Sequence, residues 1–304
     1  SASRYGKGSH IRNLLEGIRD DEKVISILPM ERSLIENPEG HFLMFATANG
    51  RIKKSRLSEY SRINRNGKFA LKFADGDSDN LVSVRPATDA DHVVLVSASG
   101  NACRFMPSEE KTRMSPETGE AVTTYVVRVQ GRISQGVSGM KLAKGDKVIG
   151  MIVTDDFDTS VLTISKYGMA KRSRLGSGEM VPLAEEGVAI VDESGDQIFE
   201  RDGYRKTNRG TKGVRTMSLR DGDEIVSVRQ IPDLEDQLFM LTGSGMMIRM
   251  VSGQTKETLG KVTKGTRIME LRNRDRTGYV DEIVFVARLP SELISTGESL
   301  GEDE

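Results

Sequence analysis

The sequence predicts an all-β fold, a propeller-like array of four-stranded blades, and three observations carry that prediction. First, a β-rich run, a glycine turn and a cation four residues beyond the glycine occur four times: Gly50 with Lys54, Gly100 with Arg104, Gly168 with Arg172 and Gly245 with Arg249. Second, another glycine, set among cations, opens a further strand at Gly8, Gly67, Gly136, Gly213 and Gly265. Third, the distances from each second glycine to the next first glycine are 42, 33, 32 and 32 residues. Generic loops do not repeat their lengths in this way, whereas stacked sheet units do.

The elements follow in chain order. Residues 1–20 read as the end of a preceding blade, and the array proper runs over 21–290. Its strands are expected at 24–28, 42–46, 69–73, 81–84, 93–98, 102–105, 137–142, 148–153, 161–164, 214–219, 224–228, 238–241, 267–271 and 282–289. These runs are short, rich in β-branched residues and bounded by Gly, Asp and Asn. Acidic turns at Asp75-Gly76-Asp77, Lys144-Gly145-Asp146 and Asp221-Gly222-Asp223 separate the units, of which 81–145 is the clearest. The count is four complete blades plus the leading remnant. From first to second glycine takes 17 and 20 residues in the outer units but 36 and 45 in the middle two. The excess, near 107–128 and 176–204, is expected as surface insertions, the second with a small hairpin joining 188–191 and 197–199. Residues 291–304 form an acidic tail expected to be disordered.

Composition bounds the function. No apolar run approaches the roughly 20 residues that span a bilayer, so no membrane role is expected. The start, Ser1-Ala2-Ser3-Arg4, has no apolar segment behind it and no initiator Met, as expected of a fragment of a longer protein. The single Cys103 excludes an internal disulfide framework and suits a reducing compartment. The net charge of −1 hides an asymmetry. Residues 176–203 carry eight acids against Arg201, and 289–304 carry five acids and no base, which leaves the rest of the chain at +11. A basic body with acidic appendages points to a polyanion partner.

Catalytic chemistry is not indicated. No phosphate loop of the G-x-x-x-x-G-K-[ST] type is present, and Gly6-Lys7-Gly8-Ser9 lacks its spacing. His10, His41 and His92 are scattered, so neither a metal site nor a nucleophilic triad is expected. Cys103 occupies the position of Lys53 and Lys171 in sister units, which places it on a strand surface or edge. The glycines are assigned to architecture, for positive φ and close approach. The positive signal is basic. Lys53, Lys54, Arg56, Arg104, Lys171, Arg172, Arg174 and Arg249 follow the first glycines, and Arg132, Arg209, Lys212, Arg215, Lys264 and Arg267 surround the second. Cations on an edge strand also guard against sheet-to-sheet aggregation. Their recurrence in four units, with acids displaced to loops and tail, favours phosphate contact along a duplex.

Several stretches resemble a known family. Phe45-Ala46-Thr47-Ala48-Asn49-Gly50-Arg51-Ile52-Lys53-Lys54 with Leu57-Ser58-Glu59-Tyr60-Ser61-Arg62, residues 131–142, and Thr207-Asn208-Arg209-Gly210-Thr211-Lys212-Gly213-Val214 are similar to the C-terminal domain of the DNA gyrase A subunit, in the type II topoisomerase A-subunit family. The resemblance spans nearly the whole chain. It implies a β-pinwheel, a disc with a basic rim around which duplex DNA wraps, usually of six blades. The family's Gln-Arg-Arg-Gly-Gly-Lys-Gly box is not here; Arg4-Tyr5-Gly6-Lys7-Gly8 and Arg209-Gly210-Thr211-Lys212-Gly213 look like weaker counterparts. Blades three to six are then the ones present, and the insertions depart from the family pattern.

What the resemblance implies is a DNA-wrapping domain that supports ATP-dependent negative supercoiling by contacts indifferent to base sequence. Its expected partners are double-stranded DNA, the rest of the gyrase A subunit, plus the gyrase B subunit, in an A2B2 complex of the bacterial cytoplasm at the nucleoid. The enzyme is the whole topoisomerase. This chain has no recognisable catalytic residue and no cofactor of its own, ATP and Mg2+ acting elsewhere in the complex. The alternatives are the A-type subunit of topoisomerase IV, whose pinwheel lacks the box, and a protein-interaction propeller. The absence of Trp counts against the latter.

Overall fold

A computed structural model describes residues 13, 18, 22, 24–64, 66–73, 78–185, 188–258, 263–271 and 281–293. The expected remnant, Gly8, the Asp75–Asp77 turn and the tail beyond 293 lie outside those residues. The strands are β1 (Phe42–Thr47), β2 (Arg51–Arg56), β3 (Leu81–Ala87), β4 (His92–Ser97), β5 (Asn101–Phe105), β6 (Glu110–Met114), β7 (Ala121–Tyr125), β8 (Val137–Ser138), β9 (Val148–Thr154), β10 (Ser160–Ser165) and β11 (Met169–Arg174). They continue with β12 (Met180–Pro182), β13 (Ala184–Glu185), β14 (Val188–Ala189), β15 (Phe199–Arg201), β16 (Val214–Arg215), β17 (Ile225–Ile231), β18 (Gln237–Thr242), β19 (Met247–Val251), β20 (Thr266–Arg267) and β21 (Ile283–Leu289). One short helix, α1 (Arg32–Glu36), precedes them.

Four sheets make the array: β3-β1-β2-β8, β9-β4-β5-β16, β17-β10-β11-β20 and β21-β18-β19. All their pairings are antiparallel. Each is centred on a hairpin whose turn is a first glycine. The fourth, outermost strand of blades one to three is exchanged: β8 returns to blade one only after blade two's hairpin, β16 to blade two after blade three's, and β20 to blade three after blade four's. The expectation of contiguous units is corrected here, because 81–145 supplies strands to two blades. Backbone bonds from Gly139 to the Gly50 carbonyl (2.7 Å), Thr216 to Gly100 (2.9 Å) and Ile268 to Gly168 (2.9 Å) tie each exchanged strand to a first glycine. Among the described residues blade four has three strands, not four.

Strand alternation explains the stacking. In β1, Phe42, Met44 and Ala46 enter the core shared with Val93, Leu95 and Phe105 of blade two. In β4 the intervening Val94 and Val96 face Val161 of blade three. In β10, Leu162 and Ile164 meet Leu238 and Met240 of blade four. Successive side chains point to opposite faces, so β4 and β10 each feed two inter-blade cores, β1 feeds one on one face, and all three are buried throughout. Burying a Val, Leu or Met side chain contributes about 1.5–3 kcal/mol, which makes these faces the main cohesive force. Leu28, Met30 and Leu34 cap the other face of blade one over Leu43 and Phe45. Nothing described covers the far face of blade four, where β18 exposes Leu241.

Some expected strands are absent. Residues 24–28 and 69–73 form no strand, and Phe69 is 83% exposed. The runs 137–142, 214–219 and 267–271 shorten to the two-residue strands β8, β16 and β20. The insertions are exposed arms: β6 pairs with β7, β12 with β15 and β13 with β14. Within the second arm, 188–191 and 197–199 meet through the Val191–Gln197 bridge, the Ile198 to Ile190 backbone bond and a Gln197 Nε2 bond to the Ile190 carbonyl (3.4 Å).

Candidate nucleic-acid interface

The recurring cation four residues after each first glycine does not face solvent in blades one to three. Lys54, Arg104 and Arg172 are buried. Each reaches the segment that follows the hairpin of the next blade. Lys54 Nζ donates to Asp89 Oδ1 and Ser108 Oγ, both at 2.6 Å, and lies over the Phe42 ring. Arg104 Nη1 donates to the Leu175 and Tyr204 carbonyls at 2.9 Å, and its Nε donates to His92 Nδ1 at 3.3 Å. Arg172 donates to the Thr255 carbonyl (2.9 Å), Ser160 Oγ (3.1 Å) and Glu257 Oε2 (2.8 Å). Burial pulls the Arg104 guanidinium down to about 10, and burial beside Arg104 and Lys206 pulls His92 to about 4, so the imidazole is the neutral acceptor. Arg249, with no described blade beyond it, is exposed and bonded within its own hairpin to Gln237.

The preceding position is equally internal. Lys53 Nζ donates to the carbonyls of Ala70 (2.7 Å) and Arg132 (2.5 Å), and Lys171 Nζ to that of Thr216 (2.7 Å). Desolvation brings both ammonium groups to about 8. Cys103 is buried beside Thr207 Oγ1 (3.1 Å) and the Asn208 carbonyl (3.5 Å), not on a surface or edge. One feature of the fold buries all of these residues. An exchanged strand arrives from the next repeat and covers what looks in sequence like the outer edge of the hairpin. Lys53, Lys54, Arg104, Lys171 and Arg172 are therefore withdrawn as phosphate contacts, since a buried cation bonded within the fold cannot track a duplex.

The exposed cations lie on the exchanged strands instead. Arg215 on β16 and Arg267 on β20 stand at the same place, two residues after Gly213 and Gly265, and both are exposed. Lys212 and Lys264, one residue before those glycines, are exposed as well. Blade one has Gln135 and Ser138 at these places, so its outer edge is weaker in charge. Gly213 sets this geometry: at φ +72° a Cβ would collide with the Ala102 carbonyl, so only glycine lets β16 close on β5.

The remaining predicted residues divide. Arg56 and Arg174 are exposed at the ends of β2 and β11. Arg132 and Arg209 are half-buried, and Arg209 donates from Nε to the Val126 carbonyl (2.7 Å) and from Nη1 to that of Ser138, clamping blade one's exchanged strand. A cleft unites Arg174 and Arg215 with Arg201 and Arg205 over Tyr204. Arg174 is engaged by Asp158 (2.9 Å) and Asp202 (3.7 Å), whereas Arg205 and Arg215 have no side-chain partner among the described residues. Arg201, the lone base of an acidic insertion, carries no sequence signal for this place. Among the described residues no group of three His, Cys, Asp or Glu is placed to hold a metal, and no helix is long and apolar enough to cross a membrane.

Comparison with known proteins agrees with this architecture. The family model described as the DNA gyrase C-terminal domain, beta-propeller, matches residues 1–29, 41–88, 122–155, 198–232 and 236–277. The chain is 29% identical over 300 residues to the DNA gyrase A subunit of Rickettsia prowazekii (strain Madrid E), covering 91% of this chain and 31% of that one. It is 31% identical over 289 residues to the DNA gyrase A subunit of Escherichia coli (strain K12), covering 95% and 26%. The chain thus spans between a quarter and a third of these relatives' length. Its fold is similar to the C-terminal domain of DNA topoisomerase IV (TM-score 0.68, 18% identity, 97% of this chain and 76% of that). It is likewise similar to the DNA gyrase A C-terminal domain (TM-score 0.60, 19% identity, 93% and 76%). With a family model matching well over half its residues and a pinwheel of exchanged blades beneath them, the chain belongs to the DNA gyrase C-terminal domain family.

Proposed function

We propose that this chain binds and wraps duplex DNA along its exchanged strands, as the C-terminal domain of a gyrase A subunit, thereby supporting ATP-dependent negative supercoiling. The observation that carries the reading is the repetition of Lys212/Arg215 and Lys264/Arg267 at one place on successive blades, exposed and without acidic partners among the described residues. Cations at regular intervals along a curved edge match a phosphate backbone, which carries about one charge per 1.7 Å of duplex axis. Such contacts position DNA without reading its bases. Bending a site of 20–30 base pairs costs on the order of 1–6 kcal/mol, which several contacts must offset.

Double-stranded DNA, the rest of the gyrase A subunit, plus the gyrase B subunit, are the proposed partners, in an A2B2 complex of the bacterial cytoplasm. The topoisomerase chemistry, with its ATP and Mg2+, belongs to other parts of that complex. Gyrase is favoured over topoisomerase IV because the relatives at 29% and 31% identity both come from DNA gyrase. The test is duplex binding against salt, with end-to-end energy transfer on a labelled duplex to report bending. Binding should fall steeply as salt rises, and the duplex ends should approach. Salt-independent binding, or a straight bound duplex, refutes wrapping.

A further inference from the structure

The inner strands of the four blades carry a second cluster of cations that the outer edge does not explain. β3, β9, β17 and β21 meet at the centre of the array. Arg85 on β3 and Arg229 on β17 hold the same register place, opposite the third residue of their hairpins, and Arg288 on β21 is offset by one. All three line one central cavity of about 400 Å³, together with Met151, Val228 and Phe285. Burial, and then the charge of Arg288, holds the Arg85 guanidinium below its ordinary value. Burial, and then Arg85 and Arg288, does the same to Arg229, so the three charges feel one another.

The acids do not balance them. Arg288 pairs with Asp236 at 3.0 Å. Arg229 directs donors to the Val228 and Val286 carbonyls, joining β17 to β21. Arg85 makes no side-chain hydrogen bond among the described residues and is exposed to the cavity. Among the described residues the centre therefore holds two guanidiniums, Arg85 and Arg229, without an acidic partner, across a space too narrow for a duplex. Like charges gathered from separate strands repel, and Arg85 makes no side-chain bond among the described residues that would offset this. A guanidinium presents five donors in a planar fork that fits the oxygens of a phosphate. The cavity volume lies within the range of small-ligand sites.

We infer that Arg85, Arg229 and Arg288 form a binding site for a small oligophosphate anion, either a free inorganic polyphosphate or the phosphate chain of a nucleotide. The site is separate from the outer edge, and the inference does not depend on DNA wrapping. The test is calorimetric titration of inorganic tripolyphosphate into the 304-residue chain, repeated with ATP. One molecule should bind per chain. Arg85→Gln, which removes an exposed side chain free of internal bonds, should weaken it at least fivefold, and adding Arg229→Gln should abolish it. Replacing Lys212, Arg215, Lys264 and Arg267 by Gln should leave this event intact.

A methyl resonance of Met151 should shift on titration, a readout on the unaltered chain that does not need a variant to fold. ATP binding like tripolyphosphate assigns recognition to the phosphates alone. ATP binding tenfold tighter adds the base against the apolar wall. The site is refuted by no stoichiometric binding, by equal binding to the Arg85→Gln chain, by loss in the outer-edge variant, or by an unmoved Met151 signal.

Discussion

Arg172 Nη1 donates to Glu257 Oε2 at 2.8 Å across a blade junction, joining β11 to the segment that leaves the next hairpin. The guanidinium is buried and also holds the Thr255 carbonyl and Ser160. Removing one partner of a buried, hydrogen-bonded charge pair leaves the other desolvated and unpaired. Arg172→Ala should therefore lower unfolding free energy by about 2–3 kcal/mol in urea titration. Arg249→Ala, at the equivalent but exposed position, should change it by less than about 0.5 kcal/mol. Equal effects at the two sites would show that the junction does not depend on this pair.

Gly213 and Gly67 share φ +72° but not surroundings. A Cβ on Gly213 would press on the Ala102 carbonyl, whereas one on Gly67 meets nothing within 4 Å. Gly67→Ala should cost about 1 kcal/mol, the penalty of the left-handed backbone. Gly213→Ala should cost at least about 3 kcal/mol and release β16, visible as faster hydrogen exchange at Val214 and Arg215. If the two variants unfold alike, close approach is not what fixes the exchanged strand.

Much of the fold was legible, and the exposure of the candidate cations only in part, for related reasons. Alternation and glycine turns mark β1, β4, β10 and β18 because local sequence determines a hairpin. Strand exchange left no local trace, since Val137, Val214 and Thr266 pair with partners 85, 112 and 96 residues upstream. Lys54, Arg104 and Arg172 repeat because the junction repeats, and a recurring internal contact looks in sequence like a recurring surface contact. Arg249 separates the two meanings: where no described blade follows, the same residue is exposed. Lys212, Arg215, Lys264 and Arg267 kept their expected exposure because they flank the glycines that deliver the outermost strand.

Lys53 and Lys171 give the fold a pH dependence of definite sign. Burial lowers both to about 8 from an ordinary value near 10.5, so the unfolded chain binds more protons between those limits. Stability should rise with pH across that window, and below pH 8 the cost of holding each buried charge applies in full. The slope is up to about 1.4 kcal/mol per pH unit for each lysine. Burial raises Tyr204 to about 12, which also favours folding less as pH climbs beyond 10 toward that value, so the comparison belongs between 8 and 10. Lys171→Met should flatten the rise in urea denaturation; an unchanged slope would mean that Lys171 does not titrate there.

The outer edge makes the prediction that separates phosphate contact from general basicity. Replacing Lys212, Arg215, Lys264 and Arg267 with Ala together should reduce the slope of log affinity against log salt by about 3–4, since each phosphate contact contributes about 0.9. Affinity should fall similarly for unrelated duplex sequences, because no base edge is involved. Lys54→Met and Arg104→Met, measured well below their melting temperatures, should leave that slope within about half a contact of the parent, because both residues point into junctions. An unaltered slope in the outer-edge variant, or a large loss in the junction variants, would place the DNA on a different face of the blades.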